Sequence, residues 1–322
     1  MIQSIIGTSF TGGYNPVTNF DITANWSLTT PQVVDEASFK TFLESGEDGD
    51  GNTNDQTGVV ITDFSLEGGR LRCNVSSTGG NELHLSLMDV TDIKSFGNLQ
   101  ITDYLNLNSN SITSVDDTIW PINVTYIELG TNSITSVDNV TWPSGLEKLE
   151  IYENLITSFD PSTALPSGLL ELDLGSSTLS VFDPSIALPS TLERLSLSNS
   201  SITSFNPSIA LPGGLYELDL ADNQIVTFDP SIALPNSLGI LQLSNNNIVT
   251  LNPSLPLPNT LFILNLIENQ MTTAGYTGSE PWANAMSVIP GRGQIDFNGN
   301  PNSVSGTNLE TILIAKGWNV SA

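Results

Sequence analysis

Apolar and polar positions alternate along this chain on two scales. Locally, LxL triplets place leucine at every second residue, the pattern of a short strand with one buried face. Over longer distances the whole block returns. Aligned on the first leucine of LxxLxL, Leu146, Leu169, Leu192, Leu215, Leu238 and Leu261 follow at intervals of 23 residues. One unit, 165–187, reads LPSGLLELDLGSSTLSVFDPSIA, and the next reads LPSTLERLSLSNSSITSFNPSIA. Upstream, Leu83, Leu105 and Ile127 precede Leu149 in steps of 22, and Phe64 opens a shorter, cap-like unit, ITDFSLEGGRLRC. Beyond Leu264 the next match is Ile295, 31 residues on, and the added residues predict a short helix within EPWANAMSVIPG.

A lone coil of this size cannot bury its apolar face, but a stack of coils can. The pattern predicts about ten coils and a parallel sheet in which Leu172, Leu195, Leu218, Leu241 and Leu264 form one buried column. Each contributes roughly 1.5–3 kcal/mol by burial. Asn110, Asn132, Asn154, Asn223, Asn246 and Asn269 take the turn after the strand, with Ser177 and Ser200 substituting. Phe159, Phe182, Phe205 and Phe228 predict an aromatic stack on the return side. The two prolines of each FDPS…LP return exclude long helices there and predict extended or 3₁₀ segments.

These residues, LxxLxLxxNxIxxF, are similar to the leucine-rich-repeat family across residues 60–305. The resemblance implies an α/β-class solenoid, mostly β and loop. It would have a parallel β-sheet on the concave face, an irregular or 3₁₀ convex side and a short C-terminal capping helix. In that family the turn asparagine satisfies backbone groups of its own and adjacent coils. The resemblance specifies a fold and says little of activity. Three segments are expected: an irregular, partly stranded anchor or cap over 1–60, the solenoid over 61–305, and a capping helix and tail over 306–322. In the first, Phe10, Tyr14, Phe20 and Trp26 stud a polar stretch, and VDEASFKTFLES predicts a helix with Phe39, Phe42 and Leu43 on one face. In the last, Thr307 and Glu310 fit a capping box, Leu309, Ile312 and Leu313 make an apolar face, Gly317 ends the helix and Trp318 seals the final coil.

Charge narrows the partners. Eight Lys and Arg face 34 Asp and Glu, for a net −26. Such a field repels phosphate backbones and anionic membrane surfaces, while tolerating divalent cations and basic or neutral partners. One cysteine, Cys73, leaves no intrachain disulfide. One histidine, His84, leaves no His/Cys metal cluster and no catalytic triad of the usual kind. No run approaches the length of a membrane span. The start, MIQSIIGTSFTGGYNP, lacks a basic n-region and a long apolar h-region, so no cleavable leader is expected.

The outward strand positions are the candidate working surface. The middle column runs His84, Asn106, Glu128, Glu150, Asp173, Ser196, Asp219, Gln242, Asn265 and Asp296. Neighbours about 4.8 Å apart put three successive carboxylates in mutual repulsion. Lys148 and Arg194 in the adjoining column are expected to relieve it. Tyr104, Tyr126 and Tyr152 flank one end, and Ile240, Ile263 and Ile267 the other. The candidate binding set is Tyr104, Tyr126, Glu128, Lys148, Glu150, Tyr152, Asp173, Arg194 and Asp219, read either as a partner or cation groove or as a plain solvated face. In the loop GEDGDGNTND, Asp48, Asp50, Asn52 and Asn54 alternate as in a weak calcium loop. Thr53 stands where glycine is expected and no terminal glutamate follows, so a flexible solvated loop competes with that reading. No other cofactor is implied.

The FDPSIALPxxL style and the AKGW ending resemble leucine-rich repeats carried on virion proteins of tailed bacteriophages. That resemblance implies a tail or head fibre, baseplate or capsid decoration, located in the virion. Its partners would be other virion subunits, further copies of itself, or a host-surface glycan or protein. A bacterial surface or secreted protein- or glycan-binding module is the alternative. An enzyme would need a carboxylate pair in a cleft. Glu150 and Asp173 could be forced into that role, but a smooth repeat face offers no enclosure. No enzymatic activity is expected.

Overall fold

The computed structural model describes residues 19–175 and 178–321; Phe10, Tyr14 and Ser177 lie outside them. The fold is a leucine-rich-repeat solenoid, with two compact units, Met1–Leu155 and Ile156–Ala322.

The first unit opens with a cap. Asn19–Thr23 pairs antiparallel with Arg70–Ser76 on one side and Asp92–Phe96 on the other, and Val60–Glu67 pairs with Arg70–Ser76. Residues 61–73 are therefore not a first, shorter coil, as their leucine spacing predicts, but a hairpin. Gly68 and Gly69, both at positive φ, turn it. Helix α1, Glu36–Ser45, starts at a capping box: Ser38 N–H donates to Asp35, and Ser38 Oγ accepts from Asp35 N–H. Its buried Phe39, Phe42 and Leu43 meet the sheet, with Phe20 and Phe39 rings 5.1 Å apart and Trp26 and Phe39 at 5.7 Å. Buried Asp21 accepts from Arg70 (2.7 Å) and Arg72 (3.3 Å). Four parallel strands follow: Glu82–His84, Tyr104–Asn106, Tyr126–Glu128 and Lys148–Glu150. Leu83, Leu105, Ile127 and Leu149 share a buried register, and Phe96, Trp120 and Trp142 stack on the return side.

In the second unit Leu172, Leu195, Leu218, Leu241, Leu264 and Ile295 align in consecutive strands. Phe159, Phe182, Phe205 and Phe228 stack at 5.9–6.4 Å. The return segments are turns, with two-residue strands at Ser158–Phe159 and Val181–Phe182; the 3₁₀ helix among the described residues, Trp26–Leu28, lies in the cap instead. The added residues before Ile295 form helix α2, Thr273–Ala285, longer than the short helix expected. Helix α3, Asn308–Ala315, is capped by Thr307, while Glu310 reaches back to the Gly306 N–H. Leu309 and Leu313 are buried. The chain then adds an element that the sequence pattern does not show: Trp318–Ser321 pairs parallel with Gly293–Asp296.

Two side-chain ladders bind coil to coil. Asn246 donates to Leu220 O (2.9 Å), Leu243 O and Ser244 O, and accepts from Ile225 N–H (2.9 Å). Asn132, Asn154, Asn223 and Asn269 repeat this, as does Asn300. The residue before each sits at positive φ, from Ser109 to Glu268, which opens the turn for the amide. On the return side, Asp160, Asp183, Asn206 and Asp229 accept from the N–H of Ser185, Ser208, Ser231 and Ser254 one coil on.

Candidate functional site

Six of the nine predicted binding residues converge in the first unit. Tyr104 and Tyr126 occupy the same position of adjacent strands, so their rings stack, 4.6 Å apart and 24° from parallel. His84 meets Tyr104 edge-on at 5.3 Å, and its Nε2 lies 2.9 Å from Glu82. Lys148, next in the column, places Nζ 4.6 Å over the Tyr126 ring and 2.9 Å from Glu150. The hydroxyls then cross to the middle column. Tyr104 donates to Glu128, Tyr126 donates to Glu150 (2.7 Å), and Tyr152 donates to Glu128 (3.1 Å).

Tyr152 reaches Glu128 because Gly130 stands between them. A Cβ at Gly130 would collide with the Tyr152 ring. With only hydrogen there, the ring leans across the coil and its oxygen also accepts from Asn108 (3.0 Å). The result is a platform of half-buried rings whose polar ends are already engaged. Burial, then the neighbouring Glu150, pushes Glu128 above its ordinary range, against the Tyr152 hydrogen bond that lowers it. Burial and Glu128 together push Tyr152 up to about 12. The expected repulsion between Glu128 and Glu150 is met by Lys148 and by tyrosine hydroxyls, the latter a partnering that the linear pattern does not show.

Asp173, Arg194 and Asp219 lie in the second unit and do other things. Asp173 accepts from Gly175 N–H (2.8 Å) and Asp219 from Ala221 N–H (2.9 Å). Asn106, Asn265 and Asp296 make the same bond two residues on. At Asn106, Asp173, Asp219, Asn265 and Asp296 the middle column thus ends the strand with an Asx turn, which explains the short Asn and Asp there. Burial raises the Asp219 carboxyl. Arg194 pairs within its own column, with Glu217 (3.2 Å) and Glu171 (3.7 Å), rather than relieving the middle one.

The loop at 46–55 is a plug, which corrects the flexible-loop reading. Asp48 is buried and accepts from the N–H groups of Asp50 and Asn52 through one oxygen, and from Ser86 N–H (2.9 Å) and Oγ (2.6 Å) through the other. Buried Asn54 accepts from His84 N–H (2.6 Å). Asp50 is exposed. Asp48 and Asn54 thus satisfy the open edge of the first coil, and the four candidate calcium ligands do not converge as one set.

Two features escaped the sequence reading. Tyr216 and Phe262 close over Gly239, with ring centroids 6.0 Å apart. Tyr216 and Phe262 each stand one residue before their strand, outside the three outward columns, and Gly239 at the same coil position between them is the feature of the sequence that marks them. A groove of about 570 Å³ also runs between the proline-bearing returns and α2, lined by Leu234, Leu257, Trp282 and Met286 among others.

No protein-family model matches the chain, and no curated protein matches it in sequence. Among solved structures it is similar to the functional domain of InlJ from Listeria monocytogenes, at 22% identity over 74% of this chain and 48% of that one, TM-score 0.48. It is similar also to YopM from Yersinia enterocolitica, at 20% identity over 71% of this chain and 51% of that one, TM-score 0.42. A third is YopM from Yersinia pestis, described as a leucine-rich effector protein, at 19% identity over 75% and 62%, TM-score 0.45. The chain spans about half the length of the first two. Likenesses this distant assign neither activity nor partner.

Proposed function

We propose that the chain is a non-enzymatic binding module that presents the tyrosine platform of its first unit to a protein partner, as a structural or host-recognition component of a bacteriophage particle. The observation that carries the binding role is the engagement of Tyr104, Tyr126 and Tyr152 with Glu128 and Glu150. Aromatic rings fixed before binding lose little entropy when a partner covers them, and tyrosine is enriched in such contacts. The carboxylates are occupied: Glu150 by Tyr126 and Lys148, Asp173 by Gly175. Neither is held as a free acid or base. The particle role rests on the FDPSIALPxxL and AKGW style of the sequence.

The test replaces Tyr126 and Tyr152 together by Ala. Adsorption to host cells, or binding to the subunit that copurifies with the chain, should fall at least tenfold while the melting temperature moves by only a few degrees. A return-side control, Val226→Ser, should bind normally, since Val226 is exposed. Unchanged binding by the double variant would remove the platform from the interface. Finding the chain on the bacterial surface and absent from purified particles would favour the surface-module alternative.

A further inference from the structure

We propose that the second unit carries a site for a neutral glycan, built from Tyr216, Phe262 and the glycine-floored hollow beside them. The proposal rests on the reading of the chain as a binding module and adds a second site with a different ligand class.

Tyr216 is 39% exposed, and its hydroxyl makes no hydrogen bond within the described residues, unlike those of Tyr104, Tyr126 and Tyr152. Its ring leans toward Phe262 at 45° across Gly239, where a Cβ would lie 2.6 Å from Phe262 and 2.9 Å from Tyr216. Gly239 thus lets two aromatic side chains from alternate coils make one surface.

Phe262 also forms one wall of a shallow hollow of about 430 Å³, with Ile263, Gln294, Asn319 and the glycines 291, 293 and 317. Its floor is bare backbone by necessity. A Cβ at Gly293 would strike the Phe262 carbonyl, and one at Gly317 would strike that of Ile289. Both residues also sit at positive φ. The rim holds two amides. Gln294 is fixed by its bond to Ser321 Oγ (3.3 Å), and Asn319 is exposed.

Aromatic face, amide rim and bare backbone together match a pyranose. The C–H face of a sugar is weakly electropositive and stacks on the negative face of a ring. Its hydroxyls donate and accept, as side-chain amides and backbone groups do. The hollow is of small-ligand size. No charged side chain lines it, and the chain's net −26 repels sialylated, sulfated or uronic saccharides. A neutral saccharide satisfies every one of these features. A protein partner would need a much larger covered area.

The test applies the full chain to an array bearing neutral glucans, mannans, galactans and N-acetylhexosamine oligomers beside anionic glycans. The strongest neutral hit is then titrated calorimetrically. Neutral glycans should bind and anionic ones should not. Tyr216→Ala and Asn319→Ala, both at exposed positions, should each weaken binding at least fivefold with an unchanged melt, and Phe262→Ala should abolish it. Tyr126→Ala with Tyr152→Ala should leave glycan binding intact, which separates this site from the first-unit platform. Silence of all neutral glycans, a preference for anionic ones, or equal binding by Tyr216→Ala and Asn319→Ala would overturn the proposal, whether or not the platform binds its own partner.

Discussion

At the residue scale, position within LxL decides whether a charge is tolerated. Leu218 is fully buried, while its neighbour Asp219 holds an Asx turn. Leu218→Asp puts an unpaired carboxylate in the leucine column and should cost more than about 4 kcal/mol, fraying the coils around it. Asp219→Asn keeps an acceptor for Ala221 and relieves a carboxyl already raised by burial, so its melt at neutral pH should not fall. A thermal melt of each checks the register. The return-side aspartates give a prediction of opposite sign. Serine hydrogen bonds hold Asp160, Asp183 and Asp229 below their ordinary 3.8. A folded value below the unfolded one means stability present above 3.8 and lost as pH falls through the lower folded values. For Glu128 and Asp219 the folded value is raised, so stability declines as pH climbs above their ordinary values. Replacing Asp160, Asp183 and Asp229 together with Asn should leave the neutral melt close to wild type, because Asn206 already makes the same bond. Urea unfolding across pH 5 to 2 should then show a shallower acid decline than wild type.

At the element scale the coil is held by its turn as much as by its strand. Asn246 is buried, and removing its amide leaves Ile225 N–H without its partner and Leu220 O with Asn223 alone. An unsatisfied buried group costs roughly 1–3 kcal/mol, so Asn246→Ala should destabilise by about 2 kcal/mol. At Ser200 the hydroxyl, among the described residues, bonds within its own turn, to Ser198 O (3.2 Å). Ser200→Asn should restore the inter-coil bonds and raise the melt, provided the left-handed residue before it, Asn199, stays in place. Equal melts for both variants and wild type would show that stacking of leucines and phenylalanines alone carries the array.

At the scale of the whole molecule, residues 19–55 act as structure rather than as a detachable arm. Asn19–Thr23 is an inner strand of the cap sheet, and Asp48 and Asn54 satisfy backbone groups of the first coil. Deleting residues 1–55 would therefore remove buried Phe20, Trp26, Phe39 and Phe42 along with those bonds. Hydrogen exchange on the truncated chain should show amide protection lost from Glu82 through Glu150 and retained within 171–296, since solenoid coils are stabilised mainly by their neighbours. Full protection in the first coils would mean the repeats supply their own cap.

The sequence alone determined what repeats: the 23-residue period, the strand register, the leucine column, the phenylalanine stack and the helices at 36–45 and 308–315. Those features are written in local alternation and in caps a few residues wide, so they can be read without knowing what lies across the fold. Tertiary structure decided the partners. The leucines of 61–73 carry strand spacing that suits a coil equally well, and only pairing with Asn19–Thr23, some fifty residues away, makes them a hairpin. Asp48 and Asp50 alternate like metal ligands, yet the open edge at Ser86 takes one inward and leaves the other in solvent. Glu128 and Glu150 read as a repelling pair until Gly130 lets Tyr152 lean across the coil to Glu128. In each case the deciding energy is a buried hydrogen bond or ring contact between distant positions, and a linear pattern does not encode which distant group will arrive to make it.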